Sequence, residues 1–320
     1  MTALKQILRE TALATVFYSI YNPVLMKLIR SFIPLLIFIA ITGCSTPTGA
    51  SDDGPLPTTN TIENKGSDTI VNLALAWAEQ YQKLHPEVRI SVTGGGSGTG
   101  MAALINGTVD IANASRQIKA KEIESAQANG GDPVEFIIAR DAIAIIVNLE
   151  NPVNELTLRQ LSDIYSGKIT NWREVGGEDR PIVRLSRETN SGTHVYFLET
   201  VLRLGDKEDK TLFSTNTLLL PSSEGISVEI RQNPNAIGYD GLGYVTEDMK
   251  VVAVARDAGG PYIYPSAESV NNGAYPIARD LYMYTNGQPT GAIAAYIEWI
   301  LSPEAQPIVT ALGFVPVLNP

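Results

Sequence analysis

Beyond residue 61 the chain alternates between a two-residue and a 3.6-residue hydrophobic period, and this alternation restricts the fold more than any other feature. Residues 68–84 carry Ile70, Leu73, Ala74, Trp77, Tyr81 and Leu84 at helical spacing, the stripe of a helix with one buried face. His85-Pro86 stops it, because proline disfavours helical geometry in the residue before it. Residues 88–92 alternate as a strand. The glycine-rich run 94–100 then reads as a loop, and residues 101–105 begin a second helix that Asn106-Gly107 can end. Residues 136–147, rich in Ile, Val and Ala, suit a buried strand. Thr157-Leu-Arg-Gln160 fits a capping box, with Gly167 as the stop of its helix. Residues 281–284 read as a strand and 293–301 as a helix. Strands and helices taken in turn specify an α/β fold. No internal repeat is visible. With 320 residues, 44% of them apolar, there is chain for one large or two ordinary domains with sizeable cores.

The N-terminal segment is built differently. Residues 1–43 hold Lys5, Arg9, Lys27 and Arg30 against the single acid Glu10. The apolar run 32–41, broken only by Pro34, suits the apolar region of a secretory signal and falls short of the roughly 20 residues a spanning helix needs. A plain membrane anchor with an incidental cysteine is therefore the weaker reading. Ile41-Thr42-Gly43-Cys44 sets small residues before the one cysteine of the chain, the pattern of a lipobox, at which the thiol is lipidated and the preceding peptide removed. Met26-Lys27-Leu28-Ile29-Arg30 supplies a charged start of its own, so both Met1 and Met26 fit as the beginning of the leader. Residues 45–60, rich in Ser, Thr, Pro, Gly and Asp, read as a flexible tether. The expected product is an extracytoplasmic protein, held to the cell membrane by a lipid on Cys44.

Three segments share one physical device, a short Gly/Ser/Thr turn leading into a helix. They are Gly66-Ser67-Asp68-Thr69, Gly94-Gly-Gly-Ser97-Gly-Thr-Gly100 and Asn190-Ser191-Gly192-Thr193. Free N–H groups at a helix start point outward, and the helix dipole favours negative charge there. Glycine lets the backbone approach a ligand, and the hydroxyls add donors. Arg187, four residues before Ser191, adds a forked guanidinium. Together they can surround a small tetrahedral oxyanion from two sides. Each turn alone is ordinary, since Gly-Ser runs are usually loops and Ser or Thr caps helices everywhere. The run 94–100 lacks the Gly-Lys-[Ser/Thr] ending of a nucleotide-binding P-loop.

In chain order, Lys65-Gly-Ser-Asp-Thr-Ile70, Thr93-Gly-Gly-Gly-Ser-Gly-Thr-Gly100, Gly107-Thr-Val-Asp-Ile-Ala112, Ile164-Tyr-Ser-Gly-Lys-Ile-Thr-Asn-Trp172, Arg187 with Ser191-Gly-Thr-His194, and Ala236-Ile-Gly-Tyr-Asp-Gly-Leu-Gly-Tyr-Val245 form a specific set. It closely resembles the phosphate-binding lipoproteins of the phosphate ABC importer, members of the periplasmic binding protein superfamily, from about Asn64 to the C-terminus. The resemblance implies a type II periplasmic-binding-protein fold, two α/β lobes joined by a hinge and closing over the ligand. The implied domains are a signal peptide with lipobox at 1–43, a tether at 44–60, a first lobe from 61–146 and 285–320, and a second lobe from 147–284. It also implies the ligand contacts: Thr69, the Ile70 amide and Ser97 in the first lobe, and Arg187, Ser191, Gly192 and Thr193 in the second. Better-known members place an aspartate, acceptor of the phosphate proton, five residues after the Asp of Thr-Val-Asp. Here that position is Ser115, which leaves Asp68 as a candidate acceptor whose other reading is a helix N-cap. The implied partners are inorganic phosphate and a membrane permease. No cofactor is expected.

Composition closes off other classes. With 24 basic against 34 acidic residues the chain is unsuited to general nucleic-acid binding. One cysteine and two distant histidines, His85 and His194, make neither an internal disulfide nor a zinc cage, so no metal is expected. Ser191 and His194 lie close in sequence, but no Gly-x-Ser-x-Gly elbow frames the serine, and a surface phosphatase is the least favoured reading. A sensor or scavenger of phosphate or another oxyanion on the same scaffold is the alternative. Trp77, Trp172 and Trp299 read as core or lobe-surface aromatics, and Asp110 and Asp141 as structural caps or hinge acceptors.

Overall fold

The structure, a computed structural model, describes residues 60–317. The leader, Cys44 and nearly all of the tether lie outside the described residues. Strand β1 (Asn60–Gly66) starts on the last tether residue and enters a 3-10 turn (Asp68–Ile70) that continues as helix α1 (Val71–Leu84). Strand β2 (Val88–Thr93) follows, then α2 (Ser97–Ile105). The glycine-rich run is therefore only half a loop. Gly95 and Gly96 take φ of +117° and +96°, open to glycine and strained for other residues, and this lets the chain turn sharply into a helix that already begins at Ser97.

Next come β3 (Ile111–Ala114), α3 (Ala120–Ala128), the long β4 (Pro133–Val147), β5 (Glu155–Thr157) and α4 (Leu158–Ser166). The capping box of α4 is as expected. Gln160 N–H donates to Thr157 Oγ1 at 3.1 Å, Thr157 N–H donates to Gln160 Oε1 at 2.9 Å, and Gly167 ends the helix at φ +85°. The second half holds β6 (Val183–Arg187), α5 (Gly192–Phe197), β7 (Leu218–Leu220), α6 (Ser223–Gln232), β8 (Ala236–Gly241) and β9 (Lys250–Ala255). It is followed by α7 (Ala267–Asn271), β10 (Ala278–Asn286), α8 (Gly291–Ile300) and α9 (Gln306–Ala311).

The strands form a sheet in the order β2-β1-β3-β10-β4-β8-β6-β7, with β9 against β4 and β5 against β9. β1 is parallel to β2 and β3, and β6 is parallel to β7 and β8, while β10 and β4 run antiparallel between these two groups. In the first lobe, Trp77 and Tyr81 of α1 and Tyr296 and Ile300 of α8 pack with Ile62 and Ile138 on one face. Met101 and Leu104 of α2 cover Ala112 and Tyr284 on the other. In the second lobe β4 shows its two-residue period directly. Ile143, Ile145 and Val147 enter a core with Leu161, Tyr165 and Phe197, whereas Ala144 and Ile146 join Ile226 and Ile230 of α6. Burying each such side chain contributes roughly 1.5–3 kcal/mol.

The changeover between cores falls at three places. In β4, Ile138 and Ala139 belong to the first lobe and Ala142 and Ile143 to the second. Around β10, Ile277 packs in the second and Leu281 in the first, and near the C-terminus Phe314 packs in the first and Val315 in the second. The expected lobe limits, after 146 and before 285, thus sit too far along both strands. Both strands run unbroken through the hinge, so no turn or shift in composition marks the crossing.

Candidate functional site

The three turns lie at the carboxyl ends of β1, β2 and β6, where parallel strands of α/β sheets present ligand sites. Each runs directly into a helix, so the first free amides of that helix face outward beside hydroxyls. The turn after β1 brings Thr69, 1% exposed, to the turn after β6: Thr69 Oγ1 and Thr193 Oγ1 are 2.8 Å apart across the two lobes. Ser97 Oγ accepts from Ser115 N–H at 3.0 Å and lies 3.3 Å from Ser115 Oγ. Gly192 is packed against this pair so tightly that a Cβ there would stand 2.3 Å from Ser97 Oγ and 2.6 Å from Ser115 Oγ. Thr69, Ser97, Ser115, Gly192 and Thr193 therefore form one buried cluster.

Ser191 is the N-cap of α5, its hydroxyl accepting from His194 N–H at 3.4 Å. The Ile70 side chain points into the first-lobe core, so only its backbone is available to a ligand. The His194 ring bonds Ser186 Oγ through Nδ1 at 3.1 Å and stacks on Phe213, turned away from a nucleophile role for Ser191. Burial holds its imidazole below the ordinary range.

Arg187 ends β6 as a buried guanidinium. Nη1 donates to Ser223 Oγ at 2.7 Å and Nη2 to the Pro221 carbonyl at 2.9 Å. The Asp68 carboxylate stands 3.2 Å from Nη2, while the buried Arg187 Nε has no protein partner. Asp68, the candidate proton acceptor, does not fill its other reading as a cap of its own turn. The 3-10 turn it opens has no side-chain cap, and Asp68 Oδ2 instead accepts from Ser223 N–H, the first amide of α6, at 2.8 Å. A first-lobe carboxylate thus caps a second-lobe helix and neutralises the arginine. Further ties close the lobes on each other: Gly98 N–H donates to the Asn190 carbonyl at 2.9 Å, Asn190 Nδ2 to the Gly95 carbonyl at 2.9 Å, and the Tyr244 hydroxyl to the Asp68 carbonyl at 2.8 Å.

Two buried carboxylates, Asp240 and Asp141, stand beside the arginines. Asp240 is fully buried, accepts from Ser223 Oγ at 2.8 Å, and leaves Oδ2 without a protein partner. Burial pushes its carboxyl up to about 6, against the pull of Arg187 and of the Ser223 hydroxyl. Asp141, the expected hinge acceptor, takes Arg279 at 2.9 Å and the Leu242 amide at 3.1 Å. Arg279 also donates to the Ser115 carbonyl at 2.9 Å and to Thr193 Oγ1 at 3.0 Å. Nothing in the sequence around Arg279 marks it, because its partners come from three distant segments. Asp110 is structural, accepting from Glu63 N–H at 2.8 Å.

A family model described as a PBP superfamily domain matches residues 51–304. The phosphate-binding protein PstS of Pseudomonas aeruginosa is 32% identical over 316 residues, covering 91% of this chain and 96% of the relative. That of Bacillus subtilis is 32% identical, covering 92% of this chain and 94% of its own length. Among solved structures, a phosphate ABC transporter substrate-binding protein assigned in Clostridium perfringens, with bound phosphate, is 33% identical. It superposes with a TM-score of 0.72, covering 81% of this chain and all of that one. The alternation of the chain, its two lobes and the Gly/Ser/Thr turns at their junction agree with these similarities, and the chain belongs to the periplasmic-binding-protein (PBP) superfamily, among its phosphate-binding proteins.

Proposed function

We propose that this protein captures inorganic phosphate outside the cytoplasm and delivers it to the membrane permease of an ABC importer, with no chemical step of its own. One observation carries the reading: a buried arginine, five clustered hydroxyl or glycine positions and two helix starts converge from both lobes. A hydrated dianion gives up its water only where fixed dipoles and a guanidinium replace that water, and closure of the lobes makes the exchange complete. Thr69, the Ile70 amide and Ser97 hold the ion from the first lobe, and Arg187, Ser191, Gly192 and Thr193 hold it from the second. Asp68 orients Arg187. The Ser115 hydroxyl, able to accept as well as donate, accepts a hydrogen bond from the protonated phosphate oxygen where other members use a carboxylate. The relatives named for phosphate binding support the ligand, and the lipobox supports a lipid on Cys44 as the tether to the membrane.

Calorimetry on protein stripped of ligand, with phosphate, arsenate, sulfate and molybdate, tests the reading. Phosphate and arsenate are expected to bind more tightly than the other two. Equal affinity for sulfate overturns the hydrogen-bond-acceptor role of Ser115, and no heat with phosphate overturns the function. Cys44→Ser is expected to release the protein from membranes with its phosphate affinity intact, and retention on the membrane would exclude the lipid anchor.

A further inference from the structure

Arg279 lies between two spaces. On one side is the hydroxyl cluster, to which it donates through Thr193 Oγ1 at 3.0 Å and through the Ser115 carbonyl at 2.9 Å. On the other is a cavity of about 450 Å³ with Arg279 in its wall, lined by charged groups such as Arg116, Lys119 and Glu199 as well as by Val195, Tyr196 and Tyr282. The guanidinium is held in place on every side. Asp141 receives it at 2.9 Å from the hinge strand β4, its Cζ sits 5.6 Å from the centroid of the Tyr196 ring, and its side chain is 2% exposed. Ser115 belongs to the first lobe and Thr193 to the second, so the planar group spans the seam between them where the cluster meets the cavity.

A free phosphate presents four oxygens and can be enclosed completely. A monoester carries carbon on one oxygen and needs a gap through which that group leaves. The seam at Arg279 is one place where such a gap would open into ready-made space. The cavity has room for a small organic substituent, and within its mixed polar and apolar lining Val195, Tyr196 and Tyr282 offer such a group apolar contact.

We propose that Arg279 is a specificity-determining residue: it walls the oxyanion pocket off from this cavity and so confines the site to the free ion, excluding phosphate monoesters. The inference rests on the phosphate reading above. The same bonds give Arg279 a second effect. Since Thr193 Oγ1 accepts from Arg279, its proton points away from the wall, towards Thr69 or the ligand.

Wild-type protein and the double variant Arg279→Met/Asp141→Asn, which leaves no unpaired buried charge, are titrated with inorganic phosphate, methyl phosphate and phenyl phosphate. Wild type is expected to prefer phosphate over phenyl phosphate by at least about a thousandfold, the scale on which a fully bonded site rejects a misfit. In the variant that preference falls to about tenfold or less, through a gain in ester binding beside a loss in phosphate binding. A purely structural role lowers phosphate affinity without any gain for the ester. Melting curves establish that the variant is folded, and Arg279→Lys, too short to bridge Ser115 and Thr193 together, is expected to shift preference in the same direction. Ester binding by wild type within tenfold of phosphate overturns the wall, and so does an unchanged preference in a folded variant. Failure of wild type to bind phosphate overturns the functional reading instead.

Discussion

Arg187 and Arg173 carry the same charge in opposite surroundings. The Arg187 side chain is 2% exposed and faces Asp68, whereas that of Arg173 is 64% exposed beside Asp179. Losing a charge-assisted bond in a desolvated site costs about 2–5 kcal/mol, and losing a solvated one costs little. Arg187→Ala is expected to weaken phosphate binding at least about thirtyfold while Arg173→Ala stays near wild type, and equal titration curves would refute the site. Asp240 gives a second prediction at this scale. Its folded form holds a proton below about 6, while the unfolded chain stays ionised down to its ordinary 3.8. The native state therefore binds more protons in that window, and stability falls as pH rises through it, by about 3 kcal/mol. Asp240→Asn is expected to remove this slope. Urea unfolding of both proteins from pH 4 to 7 reads it as a difference, which cancels the opposite contribution of the buried His194, and parallel profiles exclude it. Residues of this kind separate what sequence shows from what it hides. Thr69, Ser97 and Arg187 stood out because each sits in a local turn or beside one. Asp240 and Arg279 gain meaning only from Ser223, Asp141 and Thr193, which the fold brings from far along the chain.

At the scale of elements, the site is made of helix beginnings, and Gly192 opens the helix that matters most. Gly192 lies in ordinary helical backbone, so alanine is tolerated by α5 itself and removes the entropic penalty of glycine. Its methyl group would nevertheless overlap Ser97 and Ser115 Oγ across the lobe boundary. Gly192→Ala is thus expected to keep or raise the melting temperature while weakening phosphate binding at least about a hundredfold, by holding the lobes apart. Unchanged affinity in calorimetry would show that the lobes do not close on this helix. Helix positions were legible from period and punctuation, the capping box of α4 down to its hydrogen bonds. The start of α2 was not, because glycine reads as loop whether it ends a turn or admits a helix behind it. Gly95 and Gly96 do the latter, and the hydroxyl of Ser97 owes its place to them.

For the whole molecule, the two lobes share continuous strands and cannot be separated by cutting a linker. Their cores meet within β4 and β10, so heating is expected to give one unfolding transition rather than two, with phosphate raising its midpoint. Two resolved calorimetric peaks would show that each lobe is stable without the other. The sequence displayed two lobes only through its resemblance to other chains, since the hinge has no glycine run or charge shift of its own. The position of β10 has a temporal side as well. This strand lies between β3 and β4 in the finished sheet, yet it comes after residue 277 of the chain. Polypeptides emerge from the ribosome N-terminus first, so β1, β2 and β3 must wait for most of the protein to be made before the strand that joins them to β4 exists. Until then the first lobe is left with an open edge and half a core. Such a nascent chain stays unfolded late, the condition in which a polypeptide can still be threaded through a narrow export channel.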